Sequence, residues 1–144
     1  MATLEYIKKI MPFWQKENGC GELLVEYEKV NKVLLPDDFK EFLYWSNGGI
    51  GVFPNIYIDI WKIENFESLC HDYEIKKYLG QDLIPFGSNG ASICFLFDYR
   101  NTKKTTIVSV DFGDLELDEL KLIADSFSHF LDLAISGELK SEDL

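Results

Sequence analysis

The sequence predicts an α+β fold of one domain, in which a mostly antiparallel sheet is flanked by helices. Apolar residues recur at helical spacing in some segments and at alternate positions in others. Turns rich in Gly and Asn separate these segments. With 144 residues, of which 47% are hydrophobic, the chain is long enough to bury one core. We expect residues 1–144 to form this single domain, with a frayed, charged tail at residues 138–144.

The most clearly signalled helix is predicted over residues 36–46. Pro36 suits the first helical position, and the two acids after it place negative charge at the positive end of the helix dipole. Asn47 or Gly48 then allows the left-handed conformation that closes a last turn. The residues expected on the buried face of this helix are Phe39, Phe42 and Leu43.

Two further helices are predicted before it. Residues 4–14 have apolar side chains at helical spacing until Pro12 disturbs the end of the segment. Residues 22–34 also show helical spacing, but the β-branched residues Val25, Val30 and Val33 leave a strand as an alternative.

Strands dominate the middle of the chain. Residues 55–61 alternate aliphatic with polar or aromatic side chains, as in a half-buried strand. An interrupted helix is predicted over residues 64–79. Three strands then form an antiparallel meander, since Gly87-Ser88-Asn89-Gly90 and a second turn reverse the chain between them. These strands are predicted over residues 83–86, 92–98 and 105–111.

A last helix that includes residues 123–136 is predicted on one broad apolar stripe, which begins at Leu120 and continues to Ile135. Asp118 or a neighbour is expected to cap it, and Gly137 is expected to end it. Phe127 and Phe130 lie on the stripe, so we expect them to join the core rather than to form a ligand site. The residues of the stripe are Leu120, Ile123, Ala124, Phe127, Phe130, Leu131, Ala134 and Ile135.

Residues 35–49 combine a Leu-Pro pair, an aromatic-rich helix and an Asn-Gly-Gly end, and this combination resembles the signature of the SUKH superfamily. Further pieces follow in the order typical of that superfamily, so the resemblance spans nearly the whole chain. Residues 1–30 match least well. The further pieces are residues 83–87, a strand ending at residues 97–98, a strand over residues 107–111 and a final helix containing residues 124–127.

The superfamily contains bacterial immunity proteins and fungal cell-wall regulators. The resemblance therefore implies a SUKH-like domain, and it favours an immunity protein that binds a cognate toxin of the same bacterium and blocks it stoichiometrically by occlusion. One hypothesis for the toxin is a nuclease with a basic cleft. The alternative that the resemblance implies is a non-catalytic regulatory module that binds a cellular protein or a cell-wall factor.

Acidic residues concentrate near the C-terminal end. The formal net charge is −11, of which residues 111–144 carry −8 and residues 1–110 carry −3. Binding to nucleic acid or anionic lipid normally requires a basic face, so neither partner is expected. A basic protein would be attracted by this charge, although net charge also serves solubility alone. The residues predicted to contact a partner are Asp114, Glu116, Asp118 and Glu119.

Several features predict a cytoplasmic protein with no membrane partner. The N-terminal residues lack the basic and apolar regions of a secretory signal. The uncharged residues 83–97 contain Pro85 and are fewer than the roughly 18 apolar residues of a membrane-spanning helix. Cys20, Cys70 and Cys94 are odd in number and widely spaced, which fits reduced thiols in a reducing compartment.

The sequence contains no recognisable motif for a cofactor, a metal or catalysis, and we expect a protein that is not an enzyme. Its glycine-rich turns lack the Gly-Lys-Ser/Thr of a phosphate-binding loop. Cys70 and His71 would point about 100° apart on a helix and have no second pair to complete a zinc site. Ser126 and His129 lack the third group that orients a catalytic base.

Asp98 and Asp111 end neighbouring strands and are the best pair of acids for acid–base hydrolysis. The commoner role of such residues is to accept backbone N–H bonds in turns, and we favour it here. A hydrolase would require a carboxylate with a raised pKa in a cleft, which sequence does not reveal.

Overall fold

Residues 2–144, the part of the chain that the computed structural model describes, contain six α-helices and seven strands. The predicted α+β class is confirmed. None of the described helices is long and apolar enough to cross a bilayer. The helices are α1 (Ala2–Ile10), α2 (Leu23–Asn31), α3 (Asp37–Trp45), α4 (Phe66–Asp72), α5 (Ile75–Leu79) and α6 (Phe127–Ser136). The strands are β1 (Trp14–Lys16), β2 (Gly49–Val52), β3 (Tyr57–Ile60), β4 (Leu83–Ser88), β5 (Ile93–Asp98), β6 (Thr106–Asp111) and β7 (Lys121–Ala124).

One sheet contains all of these strands, and its spatial order is the order of the chain from β1 to β7. Each strand pairs with its neighbours antiparallel. The predicted meander of β4, β5 and β6 is confirmed, with Leu96 opposite Pro85 on one side and Val108 on the other. Sequential pairing leaves β1 and β7 as the two edges of the sheet.

The first face of the sheet holds an aromatic core beneath α1, α3 and α6. Rings of α3 and α6 meet rings of β5 edge to face: the centroids of Phe39 and Phe97 are 4.9 Å apart, as are those of Phe130 and Phe95. Such pairs add about 0.5–1.5 kcal/mol to the energy of burial alone. Four phenylalanines predicted for the core are fully buried, which confirms that prediction. They are Phe39, Phe42, Phe127 and Phe130.

The second face is covered less completely. Side chains alternate along a strand, so Cys94 and Leu96 of β5 point away from the aromatic core. Helices α4 and α5 pack against β4, and Cys94 is fully buried. Over β2 and β3 this face is open, since Val52 is 57% exposed and Tyr57 is 39% exposed. The uncovered area borders the cleft described below.

Helix α3 spans Asp37–Trp45, one residue shorter at each end than the predicted residues 36–46. It ends at Ser46, whose backbone is extended, and the left-handed residue lies beyond the helix: Gly48 has a φ of 78°. A Cβ atom at Gly48 would lie 2.6 Å from the carbonyl oxygen of Ile60. The glycine therefore allows the turn into β2 to pass close to β3.

The prediction of one long helix reaching back to Leu120 is wrong. Lys121–Ala124 forms β7, which pairs with β6, and α6 begins only at Phe127. A short apolar run fits a buried strand as well as a helix, and pairing with β6 decides in favour of the strand.

The cap of α6 is correspondingly different from the one predicted. The side-chain oxygen of Ser126 accepts the backbone N–H of His129, so Asp118 has no capping role. Gly137 ends the helix as predicted, with a φ of 82°. Asp38 joins α6 to α3, because its Oδ2 accepts the backbone N–H of Ser128 at 2.9 Å.

The first predicted helix, over residues 4–14, is also too long. Helix α1 ends at Ile10, and the 3₁₀ turn Met11–Phe13 follows it. Proline has no N–H to continue the helical hydrogen bonds, so Pro12 ends the α-helical pattern. Trp14 is the first residue of β1 and lies opposite Gly51 of β2.

The segment over residues 22–34 is a helix, not a strand, and spans Leu23–Asn31. Lys32 ends it in the left-handed conformation, with a φ of 53°. Leu24 is its fully buried residue, whereas Leu23 is 45% exposed and Val30 is 58% exposed. The buried stripe is therefore narrower than the spacing suggested.

The tail at residues 138–144 is packed instead of frayed. Leu139 is buried, and the backbone N–H of Ser141 donates to the carbonyl oxygen of Asn55 at 3.2 Å. The Asn55 side chain also donates to the carbonyl oxygen of Gly137 at 2.8 Å. Burial of one leucine and contacts with the β2–β3 turn hold this charged segment against the domain.

Candidate functional site

The acidic residues predicted to contact a partner lie in the connection between β6 and β7. This connection begins with a tight turn in which Asp111 Oδ1 accepts the backbone N–H of Gly113 at 2.7 Å. A 3₁₀ turn, Leu117–Glu119, follows and leads into β7. We refer to residues 114–119 as the acidic segment.

The fold gathers three of the four predicted acids. Carboxylate oxygens of Asp114, Glu116 and Glu119 lie within 4.8 Å of one another, and all three residues are exposed. Asp118 is exposed on the same segment but lies outside that group. Exposed acids often approach one another without an ion, so this proximity alone defines no metal site.

Two exposed leucines accompany the acids. Leu117 is 45% exposed within the acidic segment, and Leu122 is 68% exposed on the edge strand β7. Apolar groups bordered by charge are typical of protein-binding surfaces. The acidic segment and β7 therefore place exposed acids and exposed leucines close together in the chain at this edge of the sheet.

Asp98 and Asp111 behave as turn residues and not as a catalytic pair. Asp98 Oδ1 accepts the backbone N–H of Arg100 at 3.0 Å, and its carboxylate also binds the Arg100 guanidinium, with Nη2 at 2.8 Å from Oδ2. Burial by itself would raise the pKa of Asp98, but the hydrogen bonds and charge of Arg100 outweigh burial and lower the pKa. Such a carboxylate is held ionised and does not serve as a general acid at neutral pH.

Ser126 and His129 are likewise engaged in local structure. Besides the capping bond, His129 Nδ1 accepts the backbone N–H of Asp125 at 3.1 Å. His71 is exposed next to the partly buried Cys70. Cys20, Cys70 and Cys94 are all free thiols, and burial raises the pKa of each one. Raised thiol pKa values reduce the reactive thiolate fraction at neutral pH.

A cleft of about 480 Å³ lies on the second face of the sheet, between β2–β3 and α4. Asp59 of β3 lies in this cleft, directly opposite Ile50 of β2 on one side and Ser88 of β4 on the other. Its aromatic lining comes from Trp61, Tyr73 and Phe112. We refer to this feature as the Asp59 cleft.

Sequence reasoning missed the Asp59 cleft. The alternating pattern of residues 55–61 does place Asp59 on the face opposite to Ile58 and Ile60. Tyr73 and Phe112 arrive from distant parts of the chain, and no local spacing indicates that they meet. Among the described residues that line the cleft, Glu17 is the other acid, and none is a histidine or a cysteine.

A larger cleft of about 750 Å³ lies between α2, α4–α5 and β4. Tyr27, Cys70 and Tyr99 contribute to its lining. Its charges are mixed, since lysines and carboxylates both line it. Lys32 and Glu74 on its rim adopt left-handed backbone conformations, with φ values of 53° and 58°. This cleft favours no particular ligand charge.

A model of the SMI1 / KNR4 family (SUKH-1) matches residues 21–133. The matched region includes the acidic segment, Asp59 with the aromatic lining of its cleft, and the start of α6. Comparison with curated proteins gives no match. Members of the SUKH family are generally non-catalytic immunity or regulatory proteins. The match covers most of the chain and agrees with the resemblance found in residues 35–49, so the chain belongs to the SMI1 / KNR4 family (SUKH-1).

Proposed function

We propose that this protein is an immunity protein that binds a cognate bacterial toxin and blocks it by occlusion. Membership of a family of immunity and regulatory proteins supports the proposal. The observation that carries it further is the exposed acidic segment at an open sheet edge, within the part of the chain that holds a net charge of −8.

The proposed contact residues are Asp114, Glu116, Asp118 and Glu119. Their carboxylates are exposed, and three of them are close enough to present a concentrated negative charge. A toxin that cleaves nucleic acid carries a basic cleft for phosphates, and an acidic surface is able to occupy such a cleft. Leu117 and Leu122 supply apolar contact beside the charges. Binding in this way prevents substrate access without any chemistry by the immunity protein.

A non-catalytic role is part of this proposal. The groups that sequence reasoning tested for catalysis serve structure instead: Asp98 binds Arg100, and Ser126 caps α6. The concentration of negative charge in residues 111–144 favours the encounter with a basic protein, and this role requires no catalytic group.

Growth rescue tests the proposal directly. We expect co-expression with the toxin encoded by a neighbouring gene to restore growth, and we expect the purified pair to form a one-to-one complex that inhibits the toxin in vitro. A variant with Asp114, Glu116, Asp118 and Glu119 changed to Asn or Gln should rescue less well at matched expression. Binding to a cellular protein, with no rescue from any toxin encoded beside it, would contradict the proposal and favour a regulatory binding module.

A further inference from the structure

The Asp59 carboxylate lies in a cleft without a partner of its own. Its backbone is fixed between Ile50 of β2 and Ser88 of β4. The residue is partly buried, and its carboxylate has no hydrogen bond or ion pair with any described residue. Lys62 also lines the cleft, but it forms no ion pair with Asp59. An uncompensated negative charge therefore remains at a site with restricted access to water.

Burial raises the pKa of Asp59, so the surroundings of this residue oppose ionisation of its carboxyl group. A carboxylate that loses hydration without gaining a partner is less stable in its ionised form. A cation entering the cleft would remove this cost, because it would supply the missing opposite charge. The electrostatics of the cleft therefore select a positively charged ligand.

Aromatic rings make up one wall of the same cleft. The ring centroids of Trp61 and Tyr73 are 6.3 Å apart, and those of Tyr73 and Phe112 are 4.1 Å apart. The three rings are nearly parallel, with interplanar angles of 12° and 24°. Tyr73 is 42% exposed, so part of its side chain is accessible beside the rings that stack with it. A planar guanidinium packs against aromatic rings and binds a carboxylate with two parallel hydrogen bonds. An ammonium group is not planar and does not offer this paired geometry, so the cleft favours arginine over lysine.

The position of the cleft connects it to the acidic segment. Phe112 lines the cleft and lies within the turn that leads from Asp111 to Asp114. A basic protein attracted by the acidic segment therefore meets the Asp59 cleft on the adjoining surface. Long-range attraction and a local binding site for a cation are thus placed side by side.

We propose that the Asp59 cleft binds an arginine side chain presented by the protein partner, with Asp59 pairing with the guanidinium and the aromatic wall of Trp61, Tyr73 and Phe112 packing against it. This inference rests on the proposed function as a protein-binding module and assigns it an anchor. The acidic segment governs the rate of encounter, and the Asp59 cleft governs how long the complex lasts.

The experiment is a ¹H–¹⁵N NMR titration of the full chain at pH 7 and low salt with N-acetyl-arginine-N′-methylamide. We expect saturable shifts of the Trp61 indole N–H and of the backbone amides of Asp59 and Tyr73. The matching citrulline derivative has the same shape without the charge, and we expect it to bind at least fivefold more weakly.

Two variants make the test specific. Asp59→Asn should weaken binding of the arginine derivative at least fivefold, while Asp132→Asn, which removes the same charge from the exposed surface of α6, should leave binding unchanged. Tyr73→Leu should weaken binding, because it removes one ring of the aromatic wall. Equal binding of the arginine and citrulline derivatives, or equal binding by the wild type and Asp59→Asn, would overturn the inference.

The titration contains no toxin, so its outcome is separate from that of the growth-rescue assay. Rescue without binding of the arginine derivative refutes the arginine anchor and leaves the immunity role in place. Binding of the arginine derivative without rescue refutes the immunity role and supports the cleft as a site for another partner. With a toxin in hand, Asp59→Asn should raise the dissociation rate more than it lowers the association rate.

Discussion

The two faces of the sheet differ in how completely their side chains are packed. On the first face, rings from β4 and β5 are enclosed by α3 and α6, and the largest of them are fully buried. On the second face, α4 and α5 pack against β4, while β2 and β3 remain uncovered and an unpaired carboxylate lies at Asp59. The first face is optimised for packing, and the second retains groups that packing alone would not favour.

This difference indicates where to look for function in a chain without catalytic motifs. Apolar burial stabilises a fold wherever it occurs, so a fully packed face carries little information about partners. An uncompensated charge in a cleft costs stability, and such costs tend to be retained at functional sites. The acidic segment also costs stability, because its like charges repel one another at the surface.

The largest expected effect comes from the first face. Phe39→Ala should lower the free energy of unfolding by about 3–5 kcal/mol, because it removes a fully buried ring that contacts several others. Chemical denaturation measures this change. Val52→Ala on the open second face is the matched control and should cost no more than about 0.5 kcal/mol. Similar losses for the two variants would remove the distinction between the faces.

The next effect concerns Asp98 at the end of β5. Asp98→Asn should destabilise the fold by about 1–3 kcal/mol at pH 7, because the residue is 8% exposed and loses a charge-assisted pair with Arg100.

The pH dependence of that loss follows from the lowered pKa of Asp98 in the folded state. A carboxyl group whose pKa is lower in the folded state than in the unfolded state stabilises the fold at a pH above its unfolded-state pKa, which is about 4. This stabilisation is lost as the pH falls through the folded-state pKa. The difference between the wild type and Asp98→Asn should therefore shrink on acidification below about pH 4. Urea denaturation at several pH values measures it, and a difference that grows on acidification would contradict the assignment.

The acidic segment should affect kinetics more than stability. Neutralising Asp114, Glu116, Asp118 and Glu119 together should slow association with the cognate toxin by about tenfold at low salt and flatten the salt dependence of the rate. Dissociation should change less. Surface plasmon resonance at several salt concentrations measures both rates.

A control variant with the same number of neutralised acids separates local from overall charge. It replaces four acids that are exposed in the structure and lie outside the acidic segment, namely Glu5, Glu26, Asp132 and Glu138. We expect it to slow association less. An equal effect of both variants would mean that net charge, and not the acidic segment, attracts the partner.

The smallest expected effect is a gain. Asp59→Asn should raise the free energy of unfolding at pH 7 by about 0.5 kcal/mol, because it removes a carboxylate whose ionisation is opposed by burial. A raised folded-state pKa means that stability falls as the pH rises through it, so the advantage of the variant should vanish on acidification. Glu17 and Lys62 are the other charged residues lining the cleft, and both are exposed. Thermal unfolding at pH 7 and pH 3.5 measures the gain, and a loss of stability at pH 7 would indicate a stabilising role for Asp59.

Local patterns predicted most of the architecture because their signals agreed. The helix over residues 36–46, the meander of β4–β6 and the four core phenylalanines depend on spacing, turns and caps that short stretches contain. The long final helix failed because residues 121–124 fit both periods, and only the neighbouring β6 strand decides between them. Strands β1 and β2 were missed for a related reason, since each is short and is stabilised by pairing with the other.

The sequence by itself determined the fold class, the aromatic core, the acidic C-terminal region and the family resemblance, because each depends on composition or on local order. Only the tertiary structure decided which acids meet, where the sheet stays open and how Asp59 comes to share a cleft with Tyr73 and Phe112. Those relations join residues far apart in the chain. They arise from the order of the strands and the packing of the helices. Side-chain periodicity shows which face of an element is buried, but it does not show which distant residues that face contacts.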